Sequence, residues 1–307
     1  MAKVLITGIS GSLGRLLTKH LLGRGHAVCG IDRKPWKNRP AAVNVYEADV
    51  RKKKTEDVIR KERPDSIVHL AFIRHFAANP ALRHETNVNG TRHLIEFAVG
   101  HGVESIVVFS SSYVYGALPE NPFYMDETFP LSVSRTYPDI RDLAELDMLT
   151  TAYIWQHPET AIAVLRPVSI LGKQVRSALG RYLVHDYVPT VLGFNPMAQF
   201  IHEDDMATAL VLAVEQHLRG VFNVVGPGAV PLDVAIREVG GTPVPLPEAL
   251  IRLVVTRLFR WGLYPFPIGA IDFTKYQCTL NGERFSAATG FQPANSLEAI
   301  FASVRKK

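Results

Sequence analysis

Short apolar runs, many of them β-branched, punctuate the first half of the chain at residues 3–7, 27–31, 43–47, 66–70, 105–109 and 161–165. Within them the apolar positions are nearly continuous rather than alternating, the pattern of strands covered on both faces. Between most of them lie stretches of helical periodicity, such as 12–24, 86–99 and 139–156. Strand and helix taking turns in this way predict an α/β fold, a parallel, doubly wound sheet with helices on both faces.

After about Gly172 the rhythm weakens. Prolines gather at Pro227, Pro231, Pro243, Pro245, Pro247, Pro265 and Pro267. The pattern predicts a smaller, mostly C-terminal α/β substrate lobe built from 173–199 and 229–307, with 1–172 and 200–228 forming the main domain. The run 221–225 is expected to return to the main sheet. The stretch 250–266 is apolar, with Arg252, Arg257 and Arg260 spaced through it. It reads as a buried packing helix with snorkelling arginines, or else as an amphipathic lid or peripheral membrane contact.

Composition narrows the function classes. Hydrophobic residues at 47% and charged residues at 21% suit a soluble globular chain, and a net charge of +5 is mild for 307 residues. The basic runs Arg51-Lys52-Lys53-Lys54 and Arg305-Lys306-Lys307 read as solvated surface, so no nucleic-acid partner is expected. No apolar run approaches the roughly 20 residues of a membrane span, and Met1 to Thr7 run straight into a strand pattern instead of a signal peptide. Cys29 and Cys278 stand far apart with neither metal-type spacing nor a disulfide framework, so a reducing, cytoplasmic setting is expected. Arg-His pairs recur at 74–75, 83–84 and 92–93, but nine residues is two and a half helical turns, which alternates faces and makes no metal site.

The candidate chemistry starts with Thr7-Gly8-Ile9-Ser10-Gly11-Ser12-Leu13-Gly14, which follows the first strand and opens a helix. Glycines there let the backbone turn tightly and approach a pyrophosphate, to which the helix N-terminus offers free N–H groups, Ser10 to Gly14 forming the cradle. Asp32, at the end of the second strand, is placed to accept hydrogen bonds from an adenosine ribose. Its charge repels a 2′-phosphate and favours NAD, while Arg33 and Lys34 behind it leave NADP possible. Further on, Phe109-Ser110-Ser111-Ser112-Tyr113-Val114-Tyr115-Gly116 closes a strand at its carboxyl end, where open α/β sheets bind ligands. Tyr137-Pro138-Asp139-Ile140-Arg141 then opens a helix that puts Tyr137 and Arg141 on one face.

At these motifs the chain resembles the extended short-chain dehydrogenase/reductase family, the NAD-dependent epimerase/dehydratase group. The resemblance runs over nearly the whole chain, through Asp49-Val50, His69-Leu70-Ala71, Asn87-Val88-Asn89-Gly90-Thr91, Asp126-Glu127-Thr128, Leu165-Arg166-Pro167, Phe200-Ile201-His202-Glu203-Asp204-Asp205-Met206-Ala207 and Gly290-Phe291-Gln292-Pro293. It implies a Rossmann-type domain with Asp49 and Val50 at the adenine edge and Leu70, Ala71, Asn87, Ser110 and Pro167 along the cofactor. It also implies Ser111 as the hydroxyl that holds the substrate oxygen, Tyr137 as general acid/base, and a homodimer.

The family motif has Lys four residues after the Tyr, and here that residue is Arg141. Arginine keeps a positive charge that would lower the Tyr137 pKa, but not the compact ammonium, and it never deprotonates. Alternatively Arg141 is a surface residue paired with Glu145 one turn on. The family's polar clamps for a nucleotide-sugar correspond to Ser169 and to Ala198 or Gln199, which disfavours such a substrate, although Arg176 or Arg181 could stand in. The expected function is that of an NAD(P)-dependent oxidoreductase or epimerase-like enzyme that moves a hydride between nicotinamide and a secondary alcohol or ketone. The alternative is a regulator or scaffold that binds NAD(P) without turnover.

Overall fold

In chain order the strands are β1 (Lys3–Thr7), β2 (Ala27–Asp32), β3 (Asn44–Glu47), β4 (Ser66–His69), β5 (Ser105–Phe109), β6 (Ala161–Pro167), β7 (Ser169–Leu171), β8 (Tyr187–Val191), β9 (Met197–His202), β10 (Gly220–Val224), β11 (Ala229–Pro231) and β12 (Thr242–Leu246). The structure is a computed structural model that describes residues 1–73, 79–136, 140–260 and 268–305.

Seven strands form one sheet in the order β3-β2-β1-β4-β5-β6-β10, every pairing parallel. This is the expected doubly wound sheet, and the strand order reverses between β1 and β4, the place where ligands enter such sheets. The apolar runs explain it: β4 is buried at every position and β1 at all but its first. The late run does return, with Val221 opposite Val164 and Phe222 opposite Leu165.

The helices cover both faces. The opening helix, Ser12–Gly23, buries Leu13, Leu16, Leu17 and Leu21. The expected helix over 86–99 is divided: a turn at Pro80–His84 is capped by Asn79, a wider π turn spans Glu85–Asn89, and the α-helix proper is Gly90–Gly100. The helix expected from 139 is described from Arg141 to Gln156.

A second apolar cluster gathers Leu171, Tyr182, Val188, Phe200, Leu232, Ile236, Ile300 and Phe301. Small sheets organise it, β11-β9-β7 and β12-β8. Met206, Leu210 and Val214 of the helix Glu203–Glu215 instead join the core of the main sheet. In the stretch expected to be a packing helix, Glu248–Arg260 is helical, with 261–267 outside the described residues. Ile251 is buried, but Leu250, Leu253 and Val254 are exposed. Arg252 does not snorkel past apolar neighbours, because Glu248 and Asp272 bind it at 2.7 and 3.1 Å. No helix among the described residues is long and apolar enough to cross a membrane.

Candidate active site

The glycine loop leaves β1 at Gly8, whose φ of +75° is a conformation that side chains resist,. A Cβ there would meet the Leu70 carbonyl at 2.9 Å, and one on Gly14 would meet the Gly8 carbonyl oxygen at 2.6 Å. The loop is thus wedged against β4 on one side and against its own helix on the other. Gly11 N–H donates to Gly8 O and Arg15 N–H to Gly11 O. The opening helix has no side-chain cap. Its first-turn amides, from Ser12 to Gly14, have no intrahelical acceptor and form a donor cluster at the positive end of the helix dipole.

Asp32 ties this loop to β2. Its carboxylate accepts from Ser10 N–H at 3.0 Å and Lys34 N–H at 2.9 Å, and Ser10 Oγ donates to Lys34 O. Both oxygens keep lone pairs for a ribose hydroxyl. Asp49 is gripped by Arg51, at 2.9 Å from Nε and 2.6 Å from Nη2, and that guanidinium holds its carboxyl below the usual range. Val50 beside it is buried and Arg33 is exposed.

Behind the loop, His69 is fully buried between two threonines, and burial pushes its pKa down to about 3. The bonding directions form a consistent chain. Leu70 and Ala71 N–H donate to Thr7 Oγ1, and Thr7 Oγ1 lies 2.6 Å from His69 Nδ1. On the other side, His69 Nε2 lies 3.0 Å from Thr91 Oγ1, which donates to Asn87 O. A neutral ring protonated on Nε2 satisfies every contact. Asn87 exchanges hydrogen bonds with the backbone of Ile73 and donates to Asp142 at 2.8 Å. It thereby fixes the segment after β4 to the Arg141–Gln156 helix.

At the end of β5, Ser110 and Ser111 differ. Ser110 Oγ donates inward to Asp147 at 2.6 Å, which also takes two hydrogen bonds from Arg166. Ser111 Oγ accepts from Tyr113 N–H at the start of the turn Ser112–Tyr115 and lines the cleft.

That cleft is a cavity of about 170 Å³. It brings together Gly8, Gly11, Ser12, Leu13, Gly14 and Leu70 with Asn87, Ser110, Ser111 and Pro167. Ser10, Asp32, Arg33, Asp49, Val50, Ala71 and Arg141 are not among its lining residues. Tyr137 lies outside the described residues. Arg141 is exposed at the first position of its helix and has no ion pair among the described residues. It is not paired with Glu145, because Glu145 faces His84 at 3.4 Å.

The cleft also contains Tyr113, Ser169, Arg176, Ser177 and Arg181. Burial raises the Tyr113 phenol above its ordinary pKa, opposed by hydrogen bonding to Ser169 and by the charge of Arg181. Gln199, by contrast, points away from the chemistry, since its amide exchanges hydrogen bonds with the Leu280 backbone at 3.1 and 2.7 Å. Serine at 177 followed by a short helical pattern was the available signal for this wall, because its side chain caps the helix Ala178–Leu183,.

Comparison with known proteins places this geometry among relatives. Residues 4–225 match the model of the NAD dependent epimerase/dehydratase family. The chain is 31% identical over 256 residues to an uncharacterized protein of Mycobacterium tuberculosis, covering 80% of this chain and 67% of that one. It is 29% identical over 281 residues to a 3-diazoavenalumate denitrifying reductase from a Streptomyces species, covering 84% and 88%. Among solved structures it resembles the UDP-glucose 4-epimerase of Thermus thermophilus in complex with NAD. That match has a TM-score of 0.77 at 22% identity and covers 98% of this chain and 97% of the other.

Proposed function

This chain belongs to the NAD-dependent epimerase/dehydratase family, and from that premise we propose that it is an oxidoreductase that interconverts a secondary alcohol and a ketone on a substrate that is not a nucleotide-sugar. The observation that carries the reading is one cavity lined by both the glycine loop and Ser111.

The residues present fit the cofactor. The donor cluster of the opening helix, presented by a glycine loop packed too tightly to admit Cβ atoms, suits a pyrophosphate,. Asp32 stands on the same loop with acceptor capacity for a ribose. Bound NAD supplies the hydride acceptor or donor at its nicotinamide ring. Ser111 holds the substrate oxygen by hydrogen bonding. Tyr137 takes the hydroxyl proton in oxidation and returns it in reduction, which needs a phenolate stabilised by nearby positive charge. Arg141 provides such a charge without the ammonium of a lysine. The reading includes a homodimer, as the family resemblance implies.

Two observations disfavour a nucleotide-sugar. Ser169 occupies one clamp position, and Gln199, near the other, is engaged by Leu280. The Streptomyces relative is likewise named for a reduction on a substrate that is not a nucleotide-sugar. The test is Tyr137→Phe. Hydride transfer, followed by NADH absorbance, is expected to fall by about 100-fold or more, and an unchanged rate would remove the phenol from the reaction.

A second reading has its own support. Arg141 is exposed and outside the cavity, which favours a protein that binds the dinucleotide without turnover. NAD binding with no turnover of any alcohol or ketone, restored by Arg141→Lys, would establish it.

A further inference from the structure

We propose that Arg176 and Arg181, with Ser169 and Ser177, form an anion-recognition wall of the cleft, and that the substrate is an apolar molecule ending in a carboxylate. This rests on the cofactor-cleft reading above and names the substrate class for the same site.

Both arginines line the cavity and both are half-buried. Each is anchored by a hydrogen bond to backbone, Arg176 Nε to Gly172 O and Arg181 Nη1 to Arg176 O, both at 3.0 Å. Neither takes part in an ion pair among the described residues. The other shielded arginines are matched: Arg166 lies 2.6 Å from Asp147 and Arg83 lies 3.2 Å from Asp142. An arginine does not discharge, so shielding it from water without a counter-charge is costly, and a bound anion offsets that cost. Burial also pulls the Arg181 guanidinium below its ordinary pKa, consistent with a missing negative partner.

The wall is held in shape from below. Glu203 is buried, and its carboxylate accepts from the N–H groups of Lys173, Gln174 and Val175 at 3.0, 2.9 and 2.6 Å. Those bonds fix the loop that delivers Arg176. Ser177 Oγ accepts from Gly180 N–H and caps the short helix that carries Arg181. Glu203 is therefore a positioning residue for this wall.

The chemistry of the remaining lining selects the anion. Ile73, Leu143, Val168, Ile170, Val175 and Ala178 make the surrounding surface apolar. Such walls suit a hydrocarbon or aryl body, and guanidinium forks suit a planar carboxylate. A nucleoside diphosphate needs polar anchors for its base and ribose, and the Gln199 amide is already occupied.

The test is calorimetric titration of the NAD-loaded protein with 3-phenylpropanoate, its methyl ester and UDP, on the native chain and on Arg176→Gln and Arg181→Gln. Saturable binding of the acid is expected, with the ester and each variant weaker by about tenfold and NAD affinity unchanged. Equal affinity for acid and ester on the native chain overturns the proposal without reference to any variant, and so does an absence of acid binding. UDP binding more tightly than the acid, and weakened by the same variants, would assign the arginines to a diphosphate. A loss of NAD affinity in the variants would assign them to the dinucleotide, and either result overturns the proposal. Failure of the native chain to take up NAD at all would instead remove the reading on which it rests.

Discussion

His69 shows how a single side chain can serve a binding loop without touching ligand. With both ring nitrogens occupied by Thr7 and Thr91 and a folded pKa of about 3, the fold accepts only the neutral ring. An unfolded histidine titrates near 6.5, so between about pH 3 and 6.5 the unfolded chain binds the extra proton and stability falls as pH falls. From pH 7 to pH 5 this residue is expected to cost about 2 kcal/mol of stability. That loss is read by urea unfolding at the two pH values and should be absent in His69→Asn. Asp49 and Glu62, whose pKa values are lowered, lose their contribution as the pH falls below the ordinary carboxylate values of about 4, so they leave the comparison of pH 7 with pH 5 unaffected. Gly8→Ala is the complementary change. The positive φ and the 2.9 Å approach to Leu70 predict a stability loss of about 1–3 kcal/mol and a fall in NAD affinity, measured by thermal melting and titration. Residues of this kind were readable in advance because glycine at a strand-to-helix turn has few other uses. Ser110 was not, because nothing in the triple serine shows that one hydroxyl faces Asp147 and the next faces the cleft.

Among the elements, the Arg141–Gln156 helix is bolted to the sheet by Asp147, which is fully buried and takes Ser110 and Arg166 together. Asp147→Asn removes the negative partner of a buried guanidinium and is expected to cost about 3–5 kcal/mol, read as a shift in the urea midpoint. Ser110→Ala should cost less, about 1.5–3 kcal/mol, since it removes a single hydrogen bond to that carboxylate,. The parallel sheet was legible because strands with two covered faces must be continuously apolar. The smaller sheets were not. β12 reads Thr-Pro-Val-Pro-Leu, a pattern that argues against a strand, yet it pairs in parallel with β8. In a two-stranded sheet each strand has only one partner, so the N–H groups that proline lacks are not all required. The divided helix before Gly90 also escaped the periodicity, because a π turn shifts its phase without changing its composition,.

On the scale of the whole molecule, the sheet carries the glycine loop and Ser111, while the chain beyond β6 returns Ser169, Arg176 and Arg181 to the same cavity. The first set was visible as motifs because its members lie close in sequence to the strands that hold them. Arg176 and Arg181 stood out in the sequence as possible anchors, but their place in one cavity with the glycine loop follows only from β7 and the helix Ala178–Leu183, which bring them back across the fold. Cofactor binding is therefore separable from substrate recognition, and it can be tested alone. The most direct measurement is titration of purified protein, stripped of carried-over nucleotide, with NAD and with NADP. Saturable uptake of NAD, together with a rise in melting temperature that Gly8→Ala abolishes, is the predicted result. An absence of saturable binding by either nucleotide would contradict the account.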